Sequence, residues 1–271
     1  GIRDVAVTGV QTCALPIYLR NARELMLAIV GGSGFGRFPG LTNLQNRWIR
    51  TPYGNPSGPV QFGGYRGSDL AFLARHGVDH TLAPHKINYR ANVWALKSLG
   101  ITGILAVVTV GGIGKPYTPG TLAVPHQIID LTWGRNQTFF EEGGRVRHID
   151  FTEPYCPEIR SRILSAASHC KEQVVARGVY AATQGPRLET AAEIDSLERL
   201  GADVVGMTGM PEASLAREIG IPYGAIAVVV NHAAGRGDSR KVIDLEAINA
   251  VHRSAMARVV NIIEQFVGNV R

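Results

Sequence analysis

The sequence predicts a single α/β domain built on a twisted, mixed central β-sheet with helices on both faces. Three observations predict it. Short apolar, β-branched runs alternate with amphipathic stretches from Met26 onward. Several runs are apolar throughout, as expected of strands covered on both sides. No repeat, low-complexity tract or linker interrupts residues 26–271, so they are assigned to one domain.

Taken in order, strands are predicted at 27–32 (LAIVGG), 70–77 (LAFLARHG), 103–112 (GILAVVTVGG), 122–131 (LAVPHQIIDL), 178–186 (GVYAATQGP), 203–209 (DVVGMTG) and 223–233 (YGAIAVVVNHA). Helices are predicted at 88–99, 157–175, 189–200, 210–219 and 244–267. The last sets Leu245, Ile248, Val251, Ala255, Val259, Ile262, Ile263 and Phe266 at helical spacing, a stripe that faces a core. Residues 1–25 stand apart. Their uncharged stretch from Val5 to Leu19 makes a poor signal peptide, because Asp4 follows Arg3 at once and Gln11 and Pro16 interrupt the apolar run. The first Met is Met26, so residues 1–25 read as foreign sequence or an unstructured extension and Met26 as the native start.

Composition excludes several function classes. The 271 residues carry 28 Lys+Arg against 22 Asp+Glu, a net +6, and are 45% hydrophobic but only 18% charged, which excludes a disordered chain. Cys13, Cys156 and Cys170 show no ligand spacing and no disulfide framework, which predicts no metal and a reduced, cytoplasmic setting. No apolar run approaches the ~18 residues of a membrane span. The positive charges form no cluster, so neither nucleic acid nor membrane is expected as a partner, while anionic small molecules suit the excess.

Ligands of such sheets bind beyond the carboxyl ends of strands. Those positions hold Gly31–Gly34 (GGSG), Arg75-His76, Thr109-Val110-Gly111-Gly112, Gln184-Gly185-Pro186-Arg187, Met207-Thr208 and Asn231-His232. The glycine turn is not a dinucleotide fingerprint, since G-x-G-x-x-G begun at Gly32 or Gly34 meets Arg37 or Pro39, and no G-K-[ST] follows. It leaves backbone N–H groups and the Ser33 hydroxyl for an anion. Arg75 offers a planar fork of donors that suits a tetrahedral oxyanion, with the His76 imidazole beside it. Thr208 adds a hydroxyl. Each also has a plain structural account: a tight turn, a surface Arg, a satisfied His, a Thr bonded to its own backbone.

Read together, LAIVGGSG, TPYGNPSGPV, FLARHGVDHTLAPHKINYRANVWALKSLG, VPHQIIDLT, QGPRLET, ADVVGMTGMPEASLAREIGIPY and AVVVNHAAG resemble the trimeric purine nucleoside phosphorylases, in the branch that handles methylthio-nucleosides. The resemblance runs from about Met26 to the C-terminal helix. It implies phosphorolysis of a purine N-glycosidic bond, with inorganic phosphate as co-substrate, no cofactor, and a homotrimeric assembly. By the same resemblance Ser33, Arg75, His76 and Thr208 contact phosphate, joined by the backbone at Val108 and Thr109, and Met207 underlies the ribose.

Where adenosine-type relatives carry two acids after the last strand, this chain has Val230-Asn231-His232-Ala233. Asn231 can donate to a 6-oxo group and accept from an N7–H, and Glu189 can accept from the N1–H that adenine lacks. Both are expected to act on the departing base, with Ala233 beside the purine and His232 at its rim. His148 matches a residue that a neighbouring subunit lends to an apolar 5' pocket. The substrate expected is therefore a 5'-methylthio 6-oxopurine nucleoside. A methylthioadenosine phosphorylase, a broad 6-oxopurine nucleoside phosphorylase and a non-enzymatic nucleoside or phosphate sensor remain open alternatives.

Overall fold

A computed structural model of the chain describes residues 26–33, 35–141 and 146–268. The reading of residues 1–25, and Gly34 of the glycine turn, lie outside the described residues. In chain order the elements are β1 (Leu27–Gly31), β2 (Thr42–Arg47), β3 (Val60–Tyr65), β4 (Ser68–Ala74), α1 (Tyr89–Ser98), β5 (Gly103–Gly112), β6 (Leu122–Ala123), β7 (Gln127–Asp130), α2 (Pro157–His169), β8 (Val174–Val175), β9 (Val179–Ala182), α3 (Ala191–Arg199), β10 (Val204–Gly206), α4 (Gly209–Glu218), β11 (Tyr223–His232) and α5 (Leu245–Gly268).

The strands form one mixed sheet in the order β2-β3-β4-β1-β5-β10-β9-β7, with β11 also on β5 and β6 and β8 beyond it. Strand β5 organises the molecule. β11 runs parallel to it along 104–112 and occupies one edge. The other edge is shared, because β1 takes 103–106 and β10 takes 111–112. Among the described residues, 107–110 have no strand partner on that edge, so the sheet splits there. The split lies at the carboxyl ends of β1 and β4, where open α/β sheets bind ligands.

The two-residue side-chain period of β5 builds both cores. Ile104, Ala106, Val108 and Val110 pack with Val93 and Leu96 of α1 and Leu215 of α4. Leu105 and Val107 pack with Ile163 of α2 and Val259, Ile262 and Phe266 of α5. Helices therefore cover both faces, and a smaller cluster around Ile194 and Leu197 seats α3. The α5 stripe is buried from Ala255 to Phe266, whereas Leu245 and Ile248, at its start, border a cavity instead. No helix among the described residues is long and apolar enough to cross a membrane.

Several predicted boundaries move. The hairpin of β2 and β3 was not expected, because all six residues of TNLQNR are exposed and carry no buried alternation. The 122–131 run breaks at Val124–His126 into β6 and β7, since Pro125 has no N–H for a ladder and the chain changes partner from β11 to β9. The 157–175 helix stops at His169, where Lys171 takes a positive φ of 58° and Val174–Val175 become β8. The 178–186 strand ends at Ala182, before Gly185 at φ 62°.

Candidate active site

The split in the sheet opens into a cavity of about 550 Å³. Its walls come from the ends of β1 (Gly32, Ser33), β4 (Arg75, His76), β5 (Thr109–Gly111), β10 (Met207, Thr208) and β11 (Asn231, Ala233) and from the loop after β9 (Pro186, Leu188, Glu189). Nine residues proposed from the sequence thus border one space: Ser33, Arg75, His76, Thr109, Met207, Thr208, Asn231, Ala233 and Glu189.

Of the residues lining the cavity, Arg75 is fully buried. Its Nε and Nη2 donate to the two carboxylate oxygens of Glu212 at 2.7 and 2.8 Å, Nη1 donates to the Val107 carbonyl at 3.1 Å, and Nη2 lies 3.4 Å from the Val30 carbonyl. The Val107 carbonyl is available because the sheet has split at that residue. Glu212, also buried, accepts a further bond from the Tyr223 hydroxyl at 2.8 Å. Burial opposes the Arg75 charge, but the Glu212 charge and hydrogen bonds outweigh it and hold the guanidinium protonated. The expectation that the planar fork grips phosphate is therefore corrected: Glu212 takes the fork, and one Nη1 N–H has no partner among the described residues. The glycine turn makes room for this arrangement, since a Cβ on Gly32 would stand 3.0 Å from both Arg75 Nη1 and the Val107 carbonyl.

His76 is also buried, with Nδ1 2.8 Å from the Leu82 carbonyl. A carbonyl only accepts, so Nδ1 carries the proton and Nε2 presents a lone pair. Burial, the largest cause, lowers its pKa from the ordinary 6.5 to about 4, with the Leu82 bond opposing and the charge of Arg75 assisting. At neutral pH His76 is an uncharged acceptor, suited to the P–OH of a protonated phosphate.

This has a stability consequence with a definite sign. The unfolded chain, with His near 6.5, binds more protons than the fold as pH falls towards 4. The contribution of neutral His76 is complete above pH 6.5 and drains through that window by about 2–3 kcal/mol. Urea unfolding at pH 7 and pH 4.5 should therefore cost the wild type about 2–3 kcal/mol more than His76→Asn. Equal losses in both would contradict a neutral buried imidazole.

Thr208 follows β10, stands at the N-cap of α4 and borders the cavity. The Thr208 and Gly209 N–H groups donate to the Tyr180 hydroxyl at 3.2 and 3.3 Å, so these two donors at the start of α4 are aimed at Tyr180. Met207 packs over Gly185, where a Cβ would lie 2.4 Å from its sulfur; the positive φ of Gly185 and this contact both exclude a side chain there.

The same cavity is lined by Glu189 and Asn231. Glu189 precedes α3, which starts on a capping box: Glu193 N–H donates to Thr190 Oγ1 at 3.1 Å and Thr190 N–H to Glu193 Oε2 at 2.7 Å. That fixed turn presents Glu189, and the Thr183 hydroxyl donates to its Oε1 at 2.6 Å, while Oε2 has no hydrogen-bond partner among the described residues. Asn231 sits just past a register shift between β11 and β5. Its Nδ2 donates to the His232 carbonyl at 2.6 Å, so one N–H and Oδ1 remain for a ligand.

Three expected residues lie elsewhere. Val108 is buried in the α1/α4 core by the alternation of β5 and does not border the cavity. His232 packs against Gly237 and reaches Asp238, Nδ1 standing 3.7 Å from its carboxylate, so it braces a turn and takes no place at the base. His148 is exposed and outside the cavity wall.

Conversely, sequence reasoning missed Glu212, Tyr180 and an apolar wall of Ile243, Leu245 and Ile248. Glu212 reads as an ordinary helix acid, and only the fold brings it across 137 positions to Arg75. Among the described residues no group of three or more His, Cys, Asp or Glu could hold a metal ion.

Comparison with known proteins adds to this geometry. A family model described as "Phosphorylase superfamily" matches residues 26–268. The chain belongs to the phosphorylase superfamily. Among relatives within it, a protein of Xanthomonas campestris pv. campestris named "Probable S-methyl-5'-thioinosine phosphorylase" is 50% identical over 232 residues, 85% of this chain and 93% of that protein. The "6-oxopurine nucleoside phosphorylase" of Pyrococcus furiosus is 44% identical over 84% of this chain and 87% of its own length. The superfamily fold is shared with the methylthioadenosine phosphorylase of Schistosoma mansoni in complex with adenine, at a TM-score of 0.85 and 32% identity, over 90% of this chain and 91% of that one.

Proposed function

We propose that the chain cleaves the N-glycosidic bond of S-methyl-5'-thioinosine with inorganic phosphate, giving hypoxanthine and 5-methylthioribose 1-phosphate. The observation that carries this reading is the polarity of one cavity. One space brings the donors and lone-pair acceptor of Ser33, Arg75, His76, Thr109 and Thr208 together with Glu189 and Asn231. The relatives named for methylthioinosine and 6-oxopurine nucleosides support it.

Phosphate is the nucleophile, so no enzyme nucleophile is required, and no cofactor enters the reaction. A phosphate oxygen bonds C1' while the C1'–N9 electron pair leaves with the purine, which regains neutrality by taking a proton from solvent. The ribosyl centre turns cationic and the purine anionic on the way. Catalysis then comes from placing phosphate under C1' and from hydrogen bonds that strengthen as the base departs. The Arg75 N–H, the Ser33 and Thr208 hydroxyls and His76 Nε2 hold phosphate; Met207 lies under the ribose. Glu189 Oε2 accepts from N1–H, and Asn231 donates to O6 and accepts from N7–H.

Adenine has no N1–H and presents a 6-amino donor, so both residues disfavour it. The apolar wall of Ile243, Leu245 and Ile248 suits a methylthio group better than a hydroxyl, which separates this reading from a general 6-oxopurine enzyme.

The reading extends to a cytoplasmic homotrimer in which His148 closes the methylthio end of a neighbouring copy's cavity. The exposed side chains of Trp133, Phe140 and Val146, and the free thiols of Cys156 and Cys170, support that extension. Ultracentrifugation should return three times the chain mass; a monomer would remove His148 from the site.

The reaction type is tested by hypoxanthine release from S-methyl-5'-thioinosine with and without phosphate. Release is expected to stop when phosphate is withheld. Equal release without phosphate would mean hydrolysis and overturn the reading.

A further inference from the structure

Arg135 lies outside the cavity wall, in the loop after β7, and holds that wall from behind. Its Nε donates to the Gln184 side-chain carbonyl at 3.1 Å. Its Nη1 donates to the carbonyls of Met207 at 2.8 Å and Met210 at 2.6 Å, with the Tyr89 hydroxyl at 3.4 Å. Its Nη2 donates to the carbonyls of Gln184 at 2.8 Å and Thr183 at 3.3 Å. All five guanidinium N–H groups are thus engaged, and every acceptor is uncharged.

These acceptors belong to three chain segments, and among them Met207 itself borders the cavity. Met207 precedes Thr208, and both border the cavity. Thr183 and Gln184 begin the loop that ends in Glu189, and Thr183 itself donates to Glu189. Tyr89, over whose ring the guanidinium carbon lies at 5.5 Å, donates in turn to the carbonyl of Pro84, which borders the cavity.

We propose that Arg135 is a positioning residue that fixes the ribose and phosphate end of the cavity relative to the base end. The proposal rests on the phosphorolytic reading above. A planar cation with five donors in fixed directions can tie these loops, whereas a lysine ammonium has three donors on a flexible stem and cannot span them. Small errors in the separation of nucleophile and leaving-group contacts are costly to rate, so the effect should appear in turnover as well as in binding.

The test is steady-state kinetics of Arg135→Gln and Arg135→Lys on S-methyl-5'-thioinosine, varying nucleoside and phosphate separately, with added guanidinium at about 10–50 mM. For Arg135→Gln, kcat is expected to fall roughly 100-fold, with KM raised for both substrates. Guanidinium should restore roughly 10-fold of the loss, and Arg135→Lys should stay within a few-fold of Arg135→Gln. Unchanged kinetics, or a loss that follows the unfolded fraction with no guanidinium rescue, would overturn the role.

Should Arg135→Gln not fold, Gln184→Leu removes one acceptor and is expected to lower kcat several-fold in the same direction; full activity there would overturn the role. The wild type run in parallel keeps the two claims distinct. A wild type without phosphate-dependent turnover overturns the functional reading and this role with it, whereas a fully active wild type beside a fully active Arg135→Gln overturns the role of Arg135 alone.

Discussion

Replacing Glu212 with Gln should lower the stability of the fold by about 3–5 kcal/mol, the cost of leaving a buried charge without its partner. Arg75 and Glu212 are 0% and 1% exposed and meet through two short bonds, so no water can take the place of the lost carboxylate. The Gln amide keeps one acceptor oxygen, which cannot satisfy Nε, Nη2 and the Tyr223 hydroxyl together. For a domain of this size the loss corresponds to a melting point lower by roughly 6–20 °C. Thermal and urea unfolding would read it. A change under about 1 kcal/mol would mean that Arg75 finds other support and that the pair does not anchor the Arg75 side chain.

Replacing Asn231 with Ala should lower kcat for S-methyl-5'-thioinosine by about 10²–10³, the range seen when one donor to a developing charge is lost. KM should change less, because the bond strengthens only as the purine gains charge. Asn231→Asp should move preference toward 6-amino purines, since a carboxylate accepts from a 6-amino group and repels a 6-oxo group. Rates on methylthioinosine and methylthioadenosine for both variants would decide. An unchanged kcat in Asn231→Ala would remove Asn231 from the leaving-group end and leave it as a turn residue bonded to the His232 carbonyl.

The scaffold was legible where side-chain periodicity carries it. β5 alternates between the two cores along most of its length, and the α5 stripe from Ala255 to Phe266 is buried as its spacing implies. Periodicity was silent for β2, whose residues are all exposed and whose pairing depends on β3.

The cavity was legible as a set of strand ends, because Ser33, Arg75, Thr109, Thr208 and Asn231 follow or close apolar runs. What holds those residues was not. The Glu212 carboxylate, the Tyr180 hydroxyl and the Arg135 guanidinium reach the site from distant positions, and nothing in their local sequence separates them from ordinary polar residues. Val108, named for its backbone alone, turns its side chain into the α1/α4 core while Thr109 borders the cavity, as neighbours on a strand face opposite ways.

Substrate choice can be read from initial rates of base release from S-methyl-5'-thioinosine, S-methyl-5'-thioadenosine and inosine, each at saturating phosphate. On the proposed roles of Glu189 and Asn231 toward the base and of Ile243, Leu245 and Ile248 toward the 5' group, all of which line the cavity, kcat/KM for methylthioinosine should exceed that for methylthioadenosine by roughly 10²-fold or more, and that for inosine by about 10-fold. Adenine released from methylthioadenosine as fast as hypoxanthine from methylthioinosine would contradict the assignment of the base end.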